Sequence, residues 1–220
     1  MKKIAITIFA LIITISAFAQ ENQAAKSPVY YQKMGENLAQ FGQSRSIEDF
    51  NTLSNQFVMI SNVEKEEWLP LYYAAQCKII MSFMENTDKV KKEAYLTETE
   101  KWFEKMEELA PEESEIFALK ALYYTAGLTI DPMTRGQEYS MLSNKSAGKA
   151  LALNKDNPRA KYILLANKIG FAQFFGKEIS AECAEANTLL STWDDYQLES
   201  QLHPQWGKNR VEAIIKSCKK

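Results

Sequence analysis

The sequence predicts an all-α protein built from antiparallel helix pairs stacked side by side as a short solenoid. Three observations predict it. The apolar residues recur at helical spacing almost throughout, and no segment alternates convincingly as a strand would. Pro, Asn, Asp and Ser clusters cut the chain into segments of helix length joined by short turns. Finally, Leu71-Tyr72-Tyr73-Ala74-Ala75 is echoed by Leu122-Tyr123-Tyr124-Thr125-Ala126, with Val29-Tyr30-Tyr31 as a weaker third copy. Self-similarity at a pitch of tens of residues marks stacked helical hairpins. About nine helices are expected after the leader.

Met1-Lys2-Lys3 is a short basic head, Ile4 to Ala19 is a nearly unbroken apolar run, and Ala17-Phe18-Ala19 supplies small residues before Gln20. This reads as a secretory signal peptide over residues 1–19, removed on export to the periplasm or the medium. The alternative, a retained anchor helix, needs about 20 apolar residues. The run falls short of that, so no stable membrane insertion is expected after cleavage. The first cysteine is Cys77, so none stands at the cleavage point to carry a lipid. Residues 20–27 are polar and alanine-rich and read as a disordered lead-in. Residues 28–220 form the repeat domain.

The elements follow in order. Ser27-Pro28 and Ser46 mark the starts of the first two helices. Residues 69–84 are interrupted only by Pro70, Gln76, Lys78 and Ser82, so this helix is apolar all round and belongs in the middle of the stack. Pro70 fits its first turn. After the turn Asn86-Thr87-Asp88 comes a charged helix whose apolar stripe is Tyr95, Trp102, Met106 and Leu109, with the mixed-sign run from Asp88 to Glu108 as its solvated face. An acidic docking patch is the other reading of that run. Ala110-Pro111-Glu112 turns the chain, Asp131-Pro132 opens another helix, and Asn154 to Pro158 separates two more. Ile179, Cys183, Ala186, Leu190 and Trp193 form a packing face, and the loop Gln201 to Gly207 precedes a short helix ending near Lys219.

Met106-x-x-Leu109-Ala110-Pro111 and Ala150-x-x-Leu153-Asn154-Lys155 lie 44 positions apart, each followed by a short turn and a new helix. Both resemble the end of a tetratricopeptide (TPR) repeat, and Phe117-x-x-Lys120-Ala121-x-x-Tyr124 resembles the start of one. Lys120 stands where leucine is usual, Lys155 replaces the turn proline, and the spacing exceeds 34 residues. The resemblance covers residues 67 to 175 and implies a TPR-like array with lengthened helices. The leader ending in Ala-Gln, the Trp68-Leu69-Pro70-Leu71-Tyr72-Tyr73-Ala74 helix and the His203-Pro204-Gln205-Trp206-Gly207 loop are similar to small exported TPR-like proteins of the Bacteroidota type.

Charge and motifs exclude several functions. Lys and Arg number 26 against 28 Asp and Glu, and loss of Lys2 and Lys3 makes the chain more acidic still. That balance gives no electrostatic reason to bind nucleic acid, whose affinity rests on clustered Lys and Arg, so nucleic acid is not an expected partner. One histidine rules out a two-histidine metal helix, and no C-x-x-C spacing occurs. Zinc would have to use Cys183, His203 and Cys218 together, and no metal site is assigned. There is no phosphate-binding glycine loop and no Gly-x-Ser-x-Gly elbow. Glu112-Glu113 and Asp194-Asp195 read as helix caps. No catalytic residue, no cofactor and no enzymatic activity are expected.

Export exposes thiols to oxidation. Cys183 lies on one apolar face and Cys218 on the stripe of Val211, Ile214 and Ile215, so the two pair in a disulfide or remain buried thiols that never meet. Cys77 is expected to be inert. Helical arrays expose a broad inner face suited to peptides. The first functional reading is therefore an exported interaction module presenting a groove to a protein or peptide partner in the cell envelope. Tyr31, Tyr73 and Tyr124 are its candidate binding residues, although buried aromatics are ordinary in helical hairpins and for any one pair the core is the favoured place. The alternative is a small-molecule-binding accessory protein, or a degenerate enzyme, with an aromatic pocket near the doublets.

Overall fold

The structure, a computed structural model, describes residues 27–86 and 88–219. The leader at 1–19, nearly all of the lead-in and Thr87 of one expected turn lie outside the described residues. Among them are nine α-helices, one short 3-10 helix and no strand. The α-helices are α1 (Pro28–Gln43), α2 (Ile47–Val63), α3 (Leu69–Met84), α4 (Lys89–Leu109), α5 (Ser114–Ile130), α6 (Pro132–Leu153), α7 (Pro158–Phe174), α8 (Ser180–Ser191) and α9 (Lys208–Ser217). Trp193–Asp195 form the 3-10 turn.

Local chemistry sets the starts. Ser27 accepts from the Tyr30 N–H, Ser46 and Asp49 form a reciprocal capping box, and Asp88, Asp131 and Asn157 cap α4, α6 and α7. Prolines 28, 70, 132 and 158 occupy first turns, where a missing N–H is harmless. Each helix packs on the next, and α3, α5 and α7 also touch one another in sequence. These first helices of successive pairs thus form an inner layer, with α4 and α6 outside it. The burial follows: every residue from Leu69 to Ile79 is buried, as are nine of the first ten residues of α5.

Two expectations need correction. The first helices of the pairs begin at residues 28, 69, 114 and 158. The doublet Tyr72-Tyr73 lies near the start of α3, whereas Tyr123-Tyr124 lies past the middle of α5, so the repeated word is out of phase with the architecture. The likeness between Met106 and Ala150, 44 positions apart, marks the true register: both are fully buried in the last turn of a second helix. On α4 the buried seam is Leu96, Thr99, Phe103 and Met106, so of the expected stripe Met106 is buried and Tyr95, Trp102 and Leu109 are not. Phe103 faces Tyr123 of α5 and centres the seam, while Tyr95 and Trp102 flank it half-buried.

The chain after α7 folds back over the array. Cys183 on α8 and Cys218 beyond α9 are joined in a disulfide spanning 35 residues, and Cys77 remains a buried thiol in α3. Burial pushes the Cys77 thiol far up, which keeps it unreactive. Residues 196–207 then run across the first turns of α3, α5 and α7. Gly207 allows this path: its φ is 111°, and a Cβ there would lie 2.8 Å from the Trp193 ring.

Candidate functional site

The three candidate tyrosines do not come together. Tyr73 is in the core, stacked on Phe57, with its hydroxyl donating to the Leu202 carbonyl at 2.7 Å. It does not line a groove, because the C-terminal loop occupies the space its hydroxyl faces. Tyr124 is half-buried between Tyr123 and Tyr139. Tyr31 is half-exposed beside Tyr30 at the other end of the array. Their neighbours go deeper: the buried Tyr72 hydroxyl accepts from Trp206 Nε1 at 2.7 Å, and Tyr123 donates to Glu100 at 3.0 Å. The residues 196–207 therefore cover the inner-layer surface that a peptide-binding reading needs open.

Under that loop sits a polar centre that sequence reasoning missed. Glu115 and Arg159, both about 1% exposed, form a two-pronged ion pair at 2.5 Å. Asn157 donates to Glu115 at 2.8 Å, Tyr196 donates to it at 3.2 Å, and the Arg159 guanidinium lies 5.0 Å from the Tyr196 ring centre. Their 44-residue separation was the available signal, since it equals the register of the repeat. With its hydrogen bonds filled from within, this centre clamps α5, α7 and the loop rather than offering a free group.

Beside it, Glu113 caps α5 and accepts from the Glu115 N–H at 2.9 Å. Burial pushes its carboxyl up to about 7. One ligand atom from each of Glu113, Glu199 and His203 lies within 4.8 Å of the others. The zinc grouping weighed from the sequence does not form, because Cys183 and Cys218 are bonded to each other.

A concave surface lies elsewhere, between α1 and α2. A cleft of about 510 Å³ opens there. Val29, Met59 and Val63 supply exposed apolar rim, Ile60 supplies half-buried wall, and Lys33 is the cation among its lining residues. Gln56 also lines it, and its side-chain Oε1 is buried with no hydrogen-bond partner among the described residues. A buried, unsatisfied amide oxygen costs free energy unless something donates to it. Glu36, Asn37, Gln40 and Glu64 add a polar side to these four apolar residues, and the volume falls in the ordinary range of small-molecule sites.

A second exposed apolar surface lies at the end of α7. Phe171, Phe174 and Phe175 are each more than half exposed and pack on one another, with Lys177 Nζ 5.2 Å from the Phe171 ring centre. Three phenylalanines within five residues were a legible signal. Among the described residues no helix is long and apolar enough to cross a membrane.

No protein-family model matches the chain, and no curated protein matches it. Among solved structures it is similar to the HusA haemophore from Porphyromonas gingivalis, with 26% sequence identity and a TM-score of 0.75, over 90% of this chain and 94% of that one.

Proposed function

We propose that the protein is an exported binding protein for a small, flat, largely apolar ligand of the haem class, held in the α1–α2 cleft. The observation that carries the reading is the cleft itself, with its apolar rim and the unsatisfied Gln56 oxygen, in a chain whose fold matches a haemophore almost end to end. Val29, Ile60 and Val63 would contact a tetrapyrrole face, and Lys33, paired with Glu36 at 2.7 Å, would turn from it to a ligand carboxylate. The Met59 thioether is an iron ligand type and lies in the same lining. Binding of such a ligand requires no chemistry from the protein.

The interaction-module reading is kept as the second one, because Phe171, Phe174 and Phe175 form an exposed patch of the kind that marks partner surfaces. The two readings separate in one experiment. Haem, and separately metal-free protoporphyrin, are titrated into the protein and followed by absorbance and tryptophan quenching. Val63→Glu, at a position 78% exposed and so tolerant of a charge, is expected to weaken binding by about tenfold or more, since it puts an anion on the apolar rim. Phe174→Glu is expected to leave affinity unchanged. Absence of saturable binding to the unmodified protein would sink the haem reading, and loss of binding only in Phe174→Glu would move the site.

A further inference from the structure

We propose that Glu113, Glu199 and His203 form a site for a divalent first-row cation, zinc being the type, which fastens the C-terminal loop to the start of α5. It is independent of the α1–α2 cleft. One imidazole nitrogen and two carboxylate oxygens lie mutually within 4.8 Å, close enough for one ion to reach all three with small side-chain movements. This donor set suits zinc and its neighbours better than magnesium or calcium, which take oxygen ligands alone. His203 Nε2 and Glu199 Oε2 are 3.3 Å apart, about the edge of a tetrahedron whose metal bonds are about 2.0–2.1 Å.

The histidine is also held as a ligand would be. Its Nδ1 lies 2.8 Å from the Ser200 hydroxyl, and its ring stands edge-on to Trp68. Ser200 Oγ itself accepts from the Leu202 N–H at 3.2 Å. With Nδ1 held at Ser200, the ring aims Nε2 at the Glu199 carboxylate, and a hydrogen bond on the other ring nitrogen is what orients a metal-binding histidine. Glu113 keeps one oxygen on the Glu115 N–H and has a second for the ion. Glu199 is 78% exposed, so a water has access to a fourth position.

Two arms of the site sit on the loop, four residues apart, and the third on the α4–α5 turn. The bound ion would therefore stabilise the loop that covers Tyr73 and Glu115, and the stability of the fold would rise with metal concentration.

The test is zinc titration of untagged protein against a chromophoric chelator, with thermal melting in parallel. One equivalent is expected to bind, and Tm is expected to rise with zinc. Glu199→Gln should weaken zinc by about tenfold or more, as loss of a direct ligand exceeds loss of the contacts that support one. It should also remove the zinc-dependent rise in Tm while leaving the metal-free Tm in place, because Glu199 is solvent-facing. His203→Ala should abolish binding, but it also strips packing from Trp68, so Glu199→Gln decides. Excess magnesium should not compete. No zinc binding by the unmodified protein, unchanged affinity in Glu199→Gln, or competition by magnesium would each overturn the site.

Discussion

At the scale of single residues, the protein is organised around Glu115 and Arg159. A charge pair taken out of water is rarely a net source of stability, but removing one partner strands the other. Arg159→Ala should therefore cost about 3–5 kcal/mol in denaturant-monitored unfolding. The paired replacement Glu115→Leu with Arg159→Met should recover most of that, because no buried charge remains. If the single and double variants lose equally, the network rather than the charge pair holds the site, with Asn157 and Tyr196 as the remaining anchors. Tyr73 makes the complementary case. Tyr73→Phe leaves the Leu202 carbonyl without its donor and should cost about 1–3 kcal/mol, with little effect on ligand binding in the α1–α2 cleft, because the lost hydroxyl faces the C-terminal loop.

At the scale of elements, caps and prolines set where helices begin, while the packing seam sets which face is buried. The caps at Ser27, Ser46, Asp131 and the turn before Pro158 could be read directly, because they depend on neighbours only two or three residues away. The seam of α4 was misread because Tyr95 and Trp102 outweigh Leu96 and Thr99 in bulk. The inner helix α5 accepts Phe103 between them, and Thr99 satisfies its hydroxyl on the Leu96 carbonyl. The disulfide ties α8 to the end of the chain and so keeps α9 over it. Closing a 35-residue span removes unfolded-chain entropy, and Cys183→Ser with Cys218→Ser should lower stability by up to about 4 kcal/mol. The reading is a denaturation midpoint with and without reductant, and a reductant-insensitive midpoint would contradict it.

At the scale of the whole molecule, the array has a covered middle and two open apolar surfaces on its first and last pairs. α3 and α5 have neighbours on nearly every side, and their backbone opens only when much of the stack does. Amide exchange should accordingly be slowest in α3 and α5 and faster in α1 and α9, and fast exchange along α3 would contradict the layered packing. The C-terminal loop changes what the fold can do. In an uncovered array the inner face is the binding surface. Here Leu202 and Trp206 occupy it, and the proposed ligand cleft lies on the α1–α2 edge instead.

The helical class and most element boundaries were determined by the sequence alone, because each rests on local periodicity and caps. The 44-residue register was also present in it, in Met106 and Ala150 and again in Glu115 and Arg159, but the tyrosine doublets obscured it. Tertiary structure alone decided which tyrosines are buried, that the inner face is filled, and that Glu113 meets Glu199 and His203. The reason is physical: periodicity reports one face of one helix, whereas a cleft or a cluster is made where surfaces from distant parts of the chain meet.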